Sequence, residues 1–501
     1  MSRPVPAPSM LDAVAEGTAA YIQAMPKDRR KQYGQFFTGR QTAAFMAGMF
    51  DIPEGKTRLR VLDPGAGSGI LGTAVVARLL ALPHIKHIEL TCWENDSHIL
   101  PLLKQNIEFL QKQAEGRLSC RICEQNYITG QSGLFGMQDG GYDLVIANPP
   151  YKKIGKDTLE AKMMPHVCHG APNLYFLFAA MSLANLKEGG ELAYIMPRSW
   201  TSGAYFKKFR GYFLSAGRLR RIHIFADRNN LFDSDAVLQE TMIVHATKGG
   251  QQRKTVTITS SADSHDFSRT TRIEADYGTV VSGKDNYVCL ATDEQAIDTL
   301  NILRSFPNTL PDLGLRMKTG LAVDFRCREM LRERNEKGAV PLFCPWHIQN
   351  GRITFPVGKK REYIVTSRSG LLQNNRNYLF VKRFTSKEER RRLQCGVYLS
   401  DDFAQYQYVS TENKVNFIDS DRNEGMSAAL AHGLYVLFNS TAYDTYYRIL
   451  NGSTQVNSTE VNAMPVPALH IIAQMGENLM DMRSFSEETC DRIFRRYCHE
   501  N

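Results

Sequence analysis

Two short segments carry residue types that can do chemistry together. The first is Asp63-Pro64-Gly65-Ala66-Gly67-Ser68-Gly69. Gly65, Gly67 and Gly69 permit tight backbone approach to a ligand. A helix-compatible stretch follows, and the first N–H groups of a helix have no acceptor of their own. No Gly-Lys-Ser/Thr follows, so this is not a phosphate-cradling Walker loop. A second strand signal ends at Trp93-Glu94, 25 residues after Gly69. A carboxylate there can accept from both hydroxyls of a ribose, so the pair points to a nucleoside-type cofactor. The second segment is Asn148-Pro149-Pro150-Tyr151. Its prolines stiffen the chain and remove backbone donors, which leaves carbonyl oxygens as acceptors. Asn148 adds a side-chain oxygen and Tyr151 a flat face. Two acceptors and a ring suit a planar group that carries an NH₂.

Both segments need strand ends to hold them. Residues 57–63 read as a strand that runs into the glycine loop, and residues 71–81 as a helix. Strand and helix patterns then alternate: strand 87–93, helix 97–112, strand 118–123 and the apolar strand 142–147 that ends at Asn148. Residues 174–186 read as helix, residues 191–196 and 221–225 as strands with a helix between, and residues 240–245 as a further strand. The alternation predicts a parallel, doubly wound α/β sheet. Ligands in such sheets lie beyond the C-terminal strand ends, where both segments fall. The alternation fades after Lys248, and residues 249–254 form a polar break. The expected domains are therefore 1–248 and 249–501. Residues 10–25 read as helical, and residues from about 476 to 498 as one amphipathic helix.

Length and composition bound the rest. The chain has 501 residues, enough for about two to four domains, with 43% hydrophobic and 23% charged residues. That balance excludes wholesale disorder and collagen-like or disulfide-scaffold chains. No apolar run approaches the roughly 18 residues of a membrane span, and residues 1–8 lack the apolar core of a signal peptide. The expectation is a cytoplasmic protein with no membrane partner, its ten cysteines being reduced thiols. Between Arg352 and Cys395, twelve basic residues face three acidic ones, an excess equal to the whole-chain net charge of +9. Phe355, Tyr363, Tyr378, Phe380 and Phe384 are interleaved. Such a strip suits phosphate neutralisation and base contact. Lys359, Lys360, Arg361, Lys382, Arg383 and Arg390 are its candidate nucleic-acid contacts; a solvated basic face is the alternative. Cys120 and Cys123 form a lone CxxC without a second ligand pair, and no metal site is expected. Pro311-Asp312 lies about a hundred residues from Glu412-Asn413-Lys414, too far apart for the carboxylate–lysine cluster of a nuclease.

In chain order, Tyr33-Gly-Gln-Phe-Phe-Thr38, the glycine loop, Glu94 and Asn148-Pro-Pro-Tyr151 resemble the gamma-class adenine-N6 DNA methyltransferases of type II restriction–modification systems. The resemblance implies a Rossmann-like S-adenosylmethionine-dependent methyltransferase sheet with a C-terminal DNA target-recognition domain. It continues more weakly through residues 318–326 and 451–457, which resemble recognition-domain segments of TaqI-like and PstI/BsuBI-like enzymes. Length and layout are nearest the PstI/BsuBI-like group, which implies CTGCAG as the target.

Residue roles follow from that resemblance. Tyr33, Phe36 and Thr38 would meet the methionine end of S-adenosylmethionine. Asp63, Gly65, Gly67 and Gly69 would line its amino-acid and ribose portion, and Glu94 would take the ribose hydroxyls. Asn126-Tyr127 stands near the cofactor adenine where the family usually has an Asp; the Asn keeps an acceptor and loses the charge. Asn148 and the Pro149 carbonyl would hold the target amine on a backbone stiffened by Pro150, and Tyr151 would stack on the base. Either Phe225 or Phe232 would pack its other face, or belong to the core. The implied partner is double-stranded DNA, with room for a cognate restriction endonuclease acting on the same site and no stable complex between them. Two further readings compete: an RNA or protein-glutamine N-methyltransferase, and a non-catalytic DNA-binding partner.

Overall fold

A computed structural model of the protein describes residues 9–24, 37–131, 141–225, 241–386, 388–451 and 454–498. The chain divides into two compact units, Met1–Thr292 and Asp293–Asn501.

The first unit is built on a sheet of nine strands among the described residues. Strands β1 (Arg58–Pro64), β2 (His87–Trp93), β3 (Leu118–Cys123), β4 (Tyr142–Ala147) and β5 (Leu186–Pro197) run parallel, in the order β3-β2-β1-β4-β5. The chain leaves β1 toward β2 on one side, and β4 occupies the other. The strand order therefore reverses between β1 and β4, the place where an open sheet leaves a crevice at its C-terminal edge. β4 is buried at all six positions, which is why its sequence, apart from the ion-paired Asp143, is apolar without alternation. Helix α1 (Met10–Ala24) and α2 (Arg40–Gly48) precede the sheet. Helix α3 (Ile70–Leu80) crosses from β1 to β2, and α4 (Leu100–Gln113) from β2 to β3. α4 buries Leu100, Leu103, Ile107 and Leu110, the three-and-four spacing of a helix with one covered face. A short helix α5 (Leu159–Met163) and the helix α6 (Leu174–Asn185) lie between β4 and β5. α6 is buried almost all round, matching its uniformly apolar sequence.

Three expectations need correction. The sheet is mixed beyond β5. Strands β6 (Gly217–Phe225) and β7 (Thr241–Lys248) pair antiparallel, and β7 inserts antiparallel between β5 and β6. Alternating strand and helix patterns favour parallel neighbours, but they do not fix the direction of a strand that inserts out of chain order. Secondly, the first unit does not end near residue 250. Strand β8 (Thr255–Ser261) pairs parallel with β6, and β9 (Thr271–Asp276) closes that edge antiparallel to β8. The polar break at residues 249–254 is thus a turn that returns the chain to the same sheet. Thirdly, the C-terminal segment is two helices, Leu469–Met482 and Glu487–Tyr497. Arg483 adopts φ +53° and ends the first, and the Ser486 side chain caps the second by accepting from the Thr489 N–H.

Among the described residues, the second unit contains a six-stranded sheet in which Leu315–Thr319 at one edge, Val415–Ser420, Tyr378–Lys382 and Cys395–Tyr398 follow one another in antiparallel pairing. Aromatic rings fill the core behind it, among them Phe343, Tyr378, Phe380, Tyr398 and Phe417. No helix among the described residues is long and apolar enough to cross a membrane.

Candidate functional site

The parallel pairing of β1 with β2 sets Pro64 beside Trp93. The two strands therefore end together, and the loop after one is bonded to the end of the other. The N–H groups of Gly65 and Ala66 both donate to the Trp93 carbonyl, at 2.8 and 2.9 Å. Gly65, Gly67 and Gly69 adopt φ of +73°, +57° and +82°. A side chain in such a conformation costs about 1–2 kcal/mol, so the loop's course requires glycine. Glu94 then closes the circuit. Its Oε2 accepts from the Gly67 N–H at 2.8 Å, and its Oε1 accepts from the N–H groups of Asn95 and Asp96 at 2.8 and 2.9 Å. Burial raises the Glu94 carboxyl above its usual range, and the three N–H bonds oppose that rise.

Segment 148–151 leaves the end of β4 and faces this loop. A Cβ on Gly65 would lie 3.5 Å from Phe178 and 3.9 Å from Pro150. The Asn148 carboxamide is held from both ends: its Nδ2 donates to Thr38 Oγ1 at 3.2 Å, and the Tyr151 hydroxyl donates to its Oδ1 at 2.8 Å. Tyr151 meets Tyr175 edge-on, with ring centroids 6.1 Å apart. The Leu174 N–H donates to the Lys152 carbonyl, and the Ile154 N–H to the Pro172 carbonyl. These bonds tie the chain after the motif to the start of α6.

Loop and motif enclose a cavity of about 370 Å³, within the range of small-molecule sites. Thr38, Gly65, Gly67 and Glu94 line one part of it; Asn148, Pro149 and Pro150 line another, and Asn126 with Tyr127 a third. Tyr127 is buried, its hydroxyl bonded to Ser182 and Asn185, and burial raises its pKa. Tyr33, Phe36 and Phe232 lie outside the described residues. Three expected residues do not reach the cavity. Asp63 sits beneath the loop, where its Oδ2 accepts from the Gly72 N–H at 2.9 Å. Gly69 caps α3, and a Cβ there would come within 2.8 Å of Leu103. Tyr151 stands behind Asn148 rather than on the wall. Phe225 is buried in the core against His223 and Phe267. The lining residues that the sequence does not single out include Trp93 at the end of β2, Phe178 on α6 and Glu160 on α5. Position 93 beside a strand-end acid is the one available signal. Phe178 is one of many apolar residues in α6, and α5 is too short to show periodicity.

The basic strip is not one face. Arg392 is fully buried, with its guanidinium against the Tyr447 ring. Tyr378, Phe380 and Tyr363 are buried as well, on the inward side of strands, whereas Phe384 is exposed. Arg390 pairs with Glu487 at 2.8 Å, and Arg361 with Asp324 at 2.6 Å. Lys382 donates to Gln394, and Arg383 to the Asn413 carbonyl with its guanidinium over Phe384. Lys359 and Lys360 are exposed, with no ion-pair partner among the described residues. Cys120 and Cys123 lie on β3 as free thiols, and burial pushes Cys120 up to about 12.

Residues 83–232 match the family model described as Eco57I restriction-modification methylase. The chain is similar to the type II methyltransferase M.PstI of Providencia stuartii, with 33% identity over 97% of this chain and 96% of that one. It is also similar to the type II methyltransferase M.BsuBI of Bacillus subtilis, with 31% identity over 89% and 90%. Among solved structures, the type IIL restriction-modification enzyme MmeI in complex with DNA superposes with a TM-score of 0.53 at 11% identity, over 99% of this chain and 74% of that one. That last likeness concerns the fold.

Asp63 yields a prediction of its own. Burial, with a smaller contribution from the Glu94 charge, pushes its carboxyl from 3.8 up to about 7, and its Oδ1 has no hydrogen-bond partner among the described residues. Below about pH 4 the folded and unfolded chains both hold this proton. Between about 4 and 7 the unfolded chain releases it and the folded chain keeps it, so stability falls as pH rises through that window. Asp63→Asn retains an acceptor for Gly72 and removes the titration. The thermal-unfolding midpoint of the wild type relative to Asp63→Asn should therefore fall by roughly 5 °C between pH 5 and pH 8. A pH-independent difference would contradict the burial argument.

Proposed function

The chain belongs to the type II methyltransferases of restriction–modification systems, and on that premise we propose that it methylates the exocyclic N6 of adenine within CTGCAG in duplex DNA. The coarser activity, DNA methylation with S-adenosylmethionine as the methyl donor, comes with the family. The adenine-N6 reading is carried by one observation: the Asn148-Pro149-Pro150 acceptors open into the same cavity as the glycine loop. The CTGCAG reading rests on the likeness to the PstI/BsuBI-like group. A restriction endonuclease that cuts the same site is its expected counterpart, acting separately on DNA.

The cavity suits the donor. The glycine backbone allows close approach, the Glu94 carboxylate keeps about one lone pair for a ribose hydroxyl, and Phe178 supplies an apolar wall for a base. When bound, S-adenosylmethionine supplies an electrophilic methyl group. The protein's own residues prepare the acceptor. Adenine N6 is a weak nucleophile, because its lone pair is delocalised into the ring. Asn148 Oδ1 and the Pro149 carbonyl accept from the two N6–H groups and favour a more pyramidal, nucleophilic nitrogen. Thr38 and Tyr151 fix the Asn148 carboxamide beforehand, so little reorganisation is left for the reaction itself. Tyr151 acts here through its hydroxyl on Asn148, and the stacking role that the family resemblance implies would require the base to reach past that carboxamide. The base cannot react inside the duplex stack and must be extruded into the site. Of the six candidate contacts in the strip, Lys359 and Lys360 are the exposed ones without an ion-pair partner among the described residues, open to backbone phosphates.

Asn148→Ala should lower methyl transfer from labelled cofactor to a CTGCAG duplex by about 10³-fold. Its affinity for S-adenosylhomocysteine by calorimetry should change less than about threefold. Retained transfer would sink the role of Asn148. Changing Lys359 and Lys360 together to Ala should make the slope of log affinity against log salt shallower by about 1.8, or about 0.9 for each phosphate no longer neutralised. An unchanged slope would remove both lysines from the DNA interface.

A further inference from the structure

Next to Glu94 the cavity wall turns aromatic. Trp93 meets Tyr127 with centroids 5.7 Å apart, and Tyr127 meets Phe178 at 5.1 Å. These are surroundings for a purine ring. The polar side chains on this part of the wall include Gln125, Asn126 and Glu160, and Glu160 is the carboxylate among them. Asn126 has no acceptor to offer. Its Oδ1 already accepts from the N–H groups of Ile128 and Thr129, at 2.9 and 3.1 Å, closing the turn after β3. An amide oxygen has two lone pairs, and both are used. The Asn126 amide nitrogen points the other way and donates to Glu160 Oε1 at 3.1 Å.

Glu160 arrives from a different part of the chain, on α5 beyond the Asn148–Tyr151 motif. Among the described residues its carboxylate has that single partner. By contrast, the Glu94 carboxylate takes three backbone N–H bonds. A carboxylate offers about four lone-pair sites, so Glu160 is the least committed carboxylate on this wall.

We propose that Glu160, oriented by the Asn126 amide, accepts the hydrogen bond from the exocyclic amine of the cofactor's adenine. Asn126 is then a positioning residue and Glu160 the group that distinguishes a 6-amino purine from a 6-oxo purine. This assignment rests on the S-adenosylmethionine reading above. A carboxylate facing an amine accepts a charge-assisted bond. Facing the oxygen of a 6-oxo purine it meets only lone pairs, a mismatch that buried sites reject strongly.

The test is calorimetric binding of S-adenosylhomocysteine and S-inosylhomocysteine, which carries a 6-oxo group in place of the amine. The wild type should prefer the adenosyl ligand by about 100-fold. Glu160→Gln keeps the shape of the side chain and can donate to a 6-oxo group. It should weaken adenosyl binding by about tenfold and narrow the preference to below about tenfold. Glu160→Ala should also narrow the preference, with both ligands bound weakly. A preference unchanged in both variants overturns the assignment, even if affinity falls, because a merely structural role would weaken both ligands alike. A wild-type chain that binds neither ligand overturns the cofactor reading together with the assignment.

Discussion

The Glu94 carboxylate is the joint on which the site depends. A charge at this depth is costly unless it is satisfied, and three backbone N–H groups satisfy it. One of the three belongs to Gly67, in the loop that follows a different strand. The acid therefore fixes the glycine loop as much as the loop solvates the acid. The double donation from Gly65 and Ala66 to the Trp93 carbonyl repeats that link through the backbone. Both depend on β1 and β2 ending in register, which the parallel ladder enforces from Arg58 to Pro64.

The second constraint is the strand order. Placing β4 beside β1 brings Asn148 and the two prolines to the loop's edge, though about eighty residues separate them in the chain. The segment can then present acceptors without bending the sheet, because its prolines need no backbone partners. Thr38 and Tyr151 add side-chain restraint to one amide. Donor cavity and acceptor motif thus share one wall at Gly65, Pro150 and Phe178. Methyl transfer requires this juxtaposition.

Much of this is legible in the sequence, and the failures have physical causes. The strands around the glycine loop and the apolar run before Asn148 can be read directly, because a buried parallel strand announces itself by composition. The direction of β7 is not legible, since antiparallel and parallel neighbours bury the same residues. The edge strands β8 and β9 escape assignment to the first unit because a polar turn at residues 249–254 looks like a linker until its partners are seen. Asp63 suggests a cavity residue by its place beside the glycines, yet the chain turns its side chain down toward Gly72. The basic strip misleads most. Charge counting cannot tell that Arg392 is buried or that Arg390 faces Glu487, nearly a hundred residues on. Glu160 leaves no pattern at all, since its meaning comes only from the Asn126 amide beside it.

The central claim is that the acceptor pair at Asn148 and Pro149 serves the amino group of a base, in DNA, at a short defined sequence. Long-read sequencing of DNA from cells that express this protein tests that claim most directly. N6-methyladenine is expected at one short motif, CTGCAG, on nearly every copy and absent from cells lacking the protein. Unmodified DNA, or a methyl group on cytosine instead, would contradict it.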